Sequence, residues 1–291
     1  MLHDFIIYLT AEKRYSQHTI DAYERDLTQF INFAEIKKIN EFNKLPSTFI
    51  RGWIVLLFED KIKAKSINRK LAALRTFYKW LRKEDMVSVN PMAKIQGPKN
   101  EKRLPIFAKE SEIQSQKMED LYSDSLEGKR DKLIFELFYQ TGIRLSELIE
   151  LKIKNVSDNS IKVIGKRNKE RIIPISKELY QQIYSYVQIK NEQITENQFV
   201  FSTKFGKKIY AMLVYRIINR YLSLATNLDK TSPHVLRHTF ATHMLNRGTG
   251  LETLKDLLGH ANLSATQVYT HNSFAQLTSI YSQTHPRGGK K

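Results

Sequence analysis

At 291 residues the chain is long enough for about two domains, and 41% hydrophobic residues exclude a globally disordered protein. A formal net charge of +17, carried by both sides of residue 97, points to a polyanionic partner: nucleic acid ahead of an anionic membrane surface. The absence of cysteine excludes disulfides, thiolate catalysis and Cys-based zinc sites, and fits a cytosolic home.

Asp4 precedes any apolar run, which is not how a signal peptide begins. No stretch of about 18 uninterrupted apolar residues is present to span a membrane. Residues 1–97 read as four helices. Leu2, Phe5, Ile6 and Leu9 follow helical spacing. Ser16 stands where an N-cap belongs, ahead of Ile20, Tyr23, Leu27, Phe30 and Ile31. Pro46 and Ser47 open a third helix that buries Phe49, Ile50, Trp53, Ile54 and Leu57. A fourth, from about Ser66 to Lys83, places Ile67, Leu71, Leu74, Tyr78 and Leu81 on one stripe. Lys65, Arg69, Lys79 and Lys83 fall on the opposite face, either as a solvated charged surface or as phosphate contacts. Asn90-Pro91 halts the helix. The breaker-rich stretch from Pro91 to Ile106 follows, with residues 98–106 as the linker to a second domain, 107–291.

In that second domain Leu133, Ile134, Leu137 and Phe138 keep helical spacing over Asp131–Gln140, and Thr141-Gly142 breaks it. Arg144 then starts a new helix, which puts a guanidinium beside free backbone N–H groups, a good phosphate site. Glu147, three residues on, can reach back to hold it; the plain alternative is a surface Arg–Glu pair. Residues 161–174 read as a β-hairpin with Lys166 at a cationic tip and Arg167, Lys169 and Arg171 nearby. Helices follow at about 177–188 and 210–225, with Val200-Phe201 as an added edge strand. Thr231-Ser232-Pro233 caps the next helix, on which His234 and Arg237 share a face. His234 and His238 have metal-ligand spacing, but Val235 stands where H-E-x-x-H needs glutamate, and Arg237 would set a positive charge beside the metal, so no metal is expected. Leu251–Leu258 forms a helix ending at Gly259-His260, and Ser264 opens a short helix carrying Tyr269.

Six segments together resemble the tyrosine recombinase (phage integrase) family, most closely its Xer subgroup of site-specific recombinases. They are T-G-I-R-L-S-E-L (141–148), V-I-G-K-R-N-K-E-R (163–171), H-V-L-R-H-T-F-A-T-H (234–243), L-L-G-H (257–260), S-A-T-Q-V-Y-T-H (264–271) and T-H-P-R-G (284–288). Each alone is weak; their order across nearly the whole chain is specific. The resemblance implies a mainly α fold of two domains. A four-helix SAM-like core-binding domain would precede a helical catalytic domain with a small antiparallel sheet, the two forming a C-shaped clamp on DNA. Arg144 and Arg237 match the arginines that grip the scissile phosphate, Lys166 the hairpin acid, His234 and His260 the active-site histidines, Tyr269 the nucleophile and Glu147 the supporting acid. The hairpin turn departs from the usual G-K-G, since Arg167 follows Lys166; Lys169 is therefore a rival acid, and Lys166 is preferred. Lys65, Arg69, Lys79, Lys83, Arg167, Lys169 and Arg171 are the candidate DNA contacts.

The implied reaction cuts and rejoins strands through a 3′-phosphotyrosyl intermediate and a Holliday junction. It uses neither ATP nor metal, because the guanidiniums carry the charge a Mg²⁺ ion would otherwise supply. The implied partners are double-stranded DNA bearing a recombination site, further recombinase protomers (four on two duplexes, identical or paralogous), and a septal DNA translocase. The implied setting is the nucleoid of a bacterial cytoplasm, and the implied task is resolving chromosome or plasmid multimers. Phe274, Leu277, Ile280 and Tyr281 form an amphipathic stretch expected to dock on a neighbouring protomer. The rival readings are a mobile-element integrase and a catalytically silent DNA-binding protein.

Overall fold

The computed structural model describes residues 2–100, 106–165, 170–193, 198–259 and 271–287, leaving aside the side chains at 116, 117 and 271–276. The chain divides into two compact units, Met1–Arg103 and Leu104–Lys291.

The first unit contains α1 (Leu2–Ala11), α2 (Gln17–Phe33), α3 (Ser47–Glu59) and α4 (Ala64–Lys83), with 3₁₀ turns at Ile39–Lys44 and Pro91–Lys94. The α4 stripe of Ile67, Leu71, Leu74, Tyr78 and Leu81 is wholly buried. Burial of each such side chain contributes about 1.5–3 kcal/mol, which favours this helix packed over the same helix alone. The core is aromatic: Phe5 meets Phe77 edge-on at 5.0 Å, and Phe30 meets Trp53 at 4.8 Å. Ser16 does precede α2 in an extended conformation, but its hydroxyl bonds the Thr19 hydroxyl at 2.9 Å instead of a helix N–H. Asp26 is buried, and its carboxylate pairs with Lys70 Nζ at 2.9 Å and Arg69 Nη1 at 2.7 Å.

In the second unit the single-turn helices α5 (Glu110–Ile113) and α6 (Gln116–Glu119) precede α7 (Leu126–Thr141), the central element, which packs against α9 (Lys177–Gln193), α10 (Ala211–Ala225) and α11 (Pro233–Asn246). From Leu133 to Thr141 it is buried on every side, so its sequence shows little amphipathic contrast. It begins five residues before the expected Asp131, because Ser125 accepts the Gly128 N–H at 3.1 Å and caps the earlier turn. After it come α8 (Leu145–Ile149) and the antiparallel pair β1 (Ser160–Ile164) and β2 (Glu170–Pro174), with Ile161 opposite Ile173 and Val163 opposite Arg171. Val200-Phe201 does not join this sheet. The neighbourhood forms only isolated bridges, Lys152 to Phe199 and Ser202 to Lys208, as the chain turns between α9 and α10.

The short α12 (Leu251–Leu258) follows α11, and α13 (His271–Thr284) follows the sequence of Tyr269. Leu277 and Tyr281 of α13 are buried with Phe240, Met244, Leu254, Leu257 and Leu258. In this single chain that part of the C-terminal apolar face is thus covered by its own unit. The closing motif anchors it further. His285 is buried, stacks on Tyr281 at 5.0 Å and donates from Nε2 to the Tyr139 carbonyl at 3.2 Å. Burial pushes its pKa down to about 3, so the ring is neutral at physiological pH. Arg287 pairs with Glu136 on α7. No helix among the described residues is long and apolar enough to cross a membrane.

Asp26→Ala leaves the Lys70 ammonium buried without its carboxylate, so denaturant unfolding of the full chain should show a loss of about 3–5 kcal/mol. An unchanged unfolding midpoint would contradict the assigned role of this pair.

Candidate active site

The site starts where α7 ends. Gly142 adopts φ +57°, and a Cβ there would lie 2.5 Å from Phe240. Only glycine makes this turn without strain, and the turn delivers Arg144 to the start of α8. Glu147 is buried in the first turn of α8. One of its oxygens accepts the Arg144 backbone N–H at 2.8 Å, and the other accepts Arg144 Nη1 at 2.7 Å. The surface-pair alternative for Glu147 therefore fails on burial.

Three guanidiniums converge on the last turn of α12. Arg144 Nη2 donates to the Gly259 carbonyl at 2.6 Å, Arg237 Nη2 to the Leu258 carbonyl at 2.6 Å, and Arg171 Nη1 to the Leu257 carbonyl. Arg237 Nη1 also donates to the Gly142 carbonyl. The carbonyls of a helix's last turn have no intrahelical partners and carry the negative end of its dipole, so they are natural seats for cations. Gly259 terminates α12 at φ +62°, and a Cβ there would sit 2.8 Å from Arg171 Cδ. The glycine thus allows the helix end and the arginine to approach.

Charge at the site is unbalanced. Burial alone would raise the Glu147 pKa, but Arg171, together with hydrogen bonds from Arg144 and Arg171, holds it below the ordinary carboxylate value. Arg237 is pushed down to about 9, by burial first and then by repulsion from Arg171 and Arg144. Three cations against one carboxylate make a concentrated positive field, which a bound phosphate would relieve.

His234 is exposed in the first turn of α11, three residues before Arg237; Ser232 caps this turn by accepting the Val235 N–H. The structure thus brings together Arg144, Glu147 and Arg237 and adds Arg171. Lys166, Arg167, Lys169, His260 and Tyr269 lie outside the described residues.

Arg171 requires a correction. Expected as a hairpin cation facing DNA, it is only 5% exposed, and its Nη2 donates to Glu147 Oε2 at 2.7 Å. Strand alternation puts it on the buried face with Ile173, and Glu147 compensates its charge there. On α4, Lys65, Arg69, Lys79 and Lys83 are all exposed, though two are already paired. Arg69 joins Asp26, while Lys83 reaches Glu12 at 2.9 Å and lies 5.2 Å from the centre of the Tyr8 ring. One feature escaped the sequence reading. A pocket of about 450 Å³ is lined by Arg130, Lys204, Phe205, Lys207, Tyr210 and Arg216, with Phe205 76% exposed. Its signal was the Lys204-Phe205-Gly206-Lys207-Lys208 run, in which cations flank an aromatic.

Helical units with an arginine-rich phosphate-type site define the class, and the comparisons specify it. The pattern of the phage integrase family matches residues 111–276, and that of the phage integrase N-terminal SAM-like domain matches residues 2–85. Tyrosine recombinase XerC of Staphylococcus epidermidis is 37% identical over 98% of this chain and 97% of its own length. XerC of Staphylococcus aureus is 36% identical over 99% and 97%. Among solved structures, XerA recombinase matches at TM-score 0.50 and 28% identity, covering 98% of both chains. XerH bound to palindromic difH after cleavage matches at TM-score 0.72 and 20% identity, covering 97% of this chain and 83% of that one. The chain belongs to the phage integrase family and is a tyrosine recombinase. The mainly helical fold with a SAM-like first domain and a small antiparallel sheet is the one expected.

Gly259→Ala forces an L-residue into the left-handed region against Arg171, so the chain should lose about 1–2 kcal/mol in denaturant unfolding. A wild-type midpoint would show that this approach is not as tight as described.

Proposed function

We propose that this recombinase acts at a specific duplex site, cutting and rejoining strands through a 3′-phosphotyrosyl intermediate and a Holliday junction. The observation that carries this reading is the convergence of Arg144, Arg171 and Arg237 on Glu147 and the end of α12. In sequence, His260 follows Gly259 at that helix end, and Tyr269 lies two residues before the start of α13.

The chemistry assigns each group a task. Tyr269 Oη attacks the scissile phosphorus, and the bond to the 5′-oxygen breaks. A phenol with an ordinary pKa of about 10 needs its proton removed or its anion stabilised, which is the role given to His234. Arg144 and Arg237 neutralise the equatorial oxygens as charge builds in the transition state. Lys166 protonates the departing 5′-oxygen, and His260 hydrogen-bonds a phosphate oxygen. The covalent phosphotyrosine conserves the energy of the broken bond, so resealing by a 5′-hydroxyl of the partner duplex needs no ATP. The guanidiniums supply fixed charge, so no metal enters the scheme.

The wider role extends the resemblance to Xer-type site-specific recombinases. It is resolution of chromosome or plasmid multimers by four protomers on two duplexes, identical or paralogous, in the bacterial cytoplasm and under a septal translocase. Residues 1–97 serve as the core-binding domain and 107–291 as the catalytic domain. Lys65 and Lys79 on α4 are the cations best placed to reach phosphates. Arg69 and Lys83 would have to share their carboxylate partners.

Tyr269→Phe should bind the site duplex normally and form no covalent complex with a nicked suicide substrate, read on a denaturing gel. Wild-type levels of adduct from that variant would remove Tyr269 from the reaction.

A further inference from the structure

Arg171 differs from the other two arginines of the site in origin and in burial. It comes from β2, whereas Arg144 leads into α8 and Arg237 lies on α11. Its side chain is 5% exposed, against 29% for Arg144. One end of its guanidinium holds Glu147 Oε2 at 2.7 Å, and the other holds the Leu257 carbonyl. Glu147 Oε1 meanwhile holds Arg144 Nη1 at 2.7 Å. A single carboxylate therefore joins two guanidiniums, and Arg171 ties that carboxylate to the helix end on which Arg144 and Arg237 also rest.

We infer that Arg171 is a positioning residue for strand cleavage, locking Glu147 to the last turn of α12 and so fixing Arg144, without touching DNA itself. The inference rests on the proposed grip of Arg144 on the scissile phosphate. Arg171 also lies five residues after Lys166 in sequence and pairs with Val163 at the turn end of β1 and β2, so the same side chain couples that end of the strand pair to the phosphate clamp.

The lock has an electrostatic component. Glu147 is faced by Arg144 from the start of α8, Arg171 from β2 and Arg237 from α11. Ionised, it accepts from both of its guanidinium partners; protonated, one oxygen becomes a donor and a grip is lost. Without Arg171 the buried carboxylate loses its strongest opposing charge and protonates at higher pH.

The test is the single-turnover cleavage rate of a nicked suicide duplex carrying the recombination site, measured against pH for the wild type, Arg171→Gln, Arg171→Lys and Arg144→Ala. Arg171→Gln should keep duplex affinity, cleave about 100-fold more slowly through misplacement of the clamp, and move the acid limb of the profile upward by about one pH unit or more. Arg171→Lys keeps a charge beside Glu147 but lacks the planar fork needed to hold both partners. It should slow cleavage less and leave the acid limb near its wild-type position. Wild-type rate and profile in Arg171→Gln would overturn the inference, as would a loss of duplex affinity in proportion to cleavage, which would make Arg171 a DNA contact. If Arg171→Gln fails to fold, Arg171→Lys decides, and a wild-type rate from it overturns the inference. Arg144→Ala separates the two levels. Should it cleave normally, the clamp reading itself fails; should it be inactive beside normal Arg171 variants, only the positioning role fails.

Discussion

A buried carboxylate and four backbone carbonyls hold three guanidiniums within one small volume. Like charges in such a space repel, and the depressed pKa of Arg237 records that repulsion on top of its burial. The cluster persists because Glu147 takes two of the cations and the carbonyls of residues 257–259 take one each. A carbonyl is a weaker acceptor than a phosphate oxygen. On the proposed function, an arriving phosphodiester would draw Arg144 and Arg237 away from α12, while Arg171, more deeply buried than Arg144, stays behind. On the proposed function, the Arg171–Glu147 contact keeps this part of the site in place, the preorganisation that electrostatic catalysis requires.

Much of the rest of the second unit serves to hold this geometry. The buried C-terminal half of α7 gives Gly142 a rigid base, and Gly142 turns the chain so that its carbonyl faces Arg237 and Arg144 opens α8. Phe240, one turn beyond Arg237 on α11, occupies the space a side chain at residue 142 would need. The same Phe240 belongs to the cluster that buries Leu277 and Tyr281 of α13. Packing at the chain's end is thus continuous with packing under the arginines.

The helices of the first unit were legible because their stripes are one-sided, as on α4. Periodicity served less well in the second unit. The start of α7 depends on a serine cap before its apolar run, and the short extended pieces around residues 199–208 bridge without forming strands. Arg144, Glu147 and Arg237 were legible as candidates, since their motifs are local. The arrangement that unites them was not, because the end of α12 is more than a hundred residues from Arg144. Arg171 was misjudged for the same reason. Alternation already put it in phase with Ile173, but burying a guanidinium makes sense only once its partner Glu147 is in view, from an element 24 residues earlier. Charge on α4 misled in a milder way: Arg69 and Lys83 sit on the expected face, but Asp26 of α2 matches the first and Glu12, just after α1, the second.

On the proposed function, the cluster neutralises the phosphate that Tyr269 attacks. The most direct test of this pairs an arginine deletion with removal of the charge it is meant to meet. Cleavage rates of the wild type and Arg144→Ala would be measured on a duplex with the normal scissile phosphodiester and on one with a neutral methylphosphonate at that position. The account predicts a loss of about 100-fold or more from Arg144→Ala on the phosphodiester and a much smaller loss on the methylphosphonate, because the missing guanidinium then has less charge to neutralise. An equal loss on both substrates would contradict it.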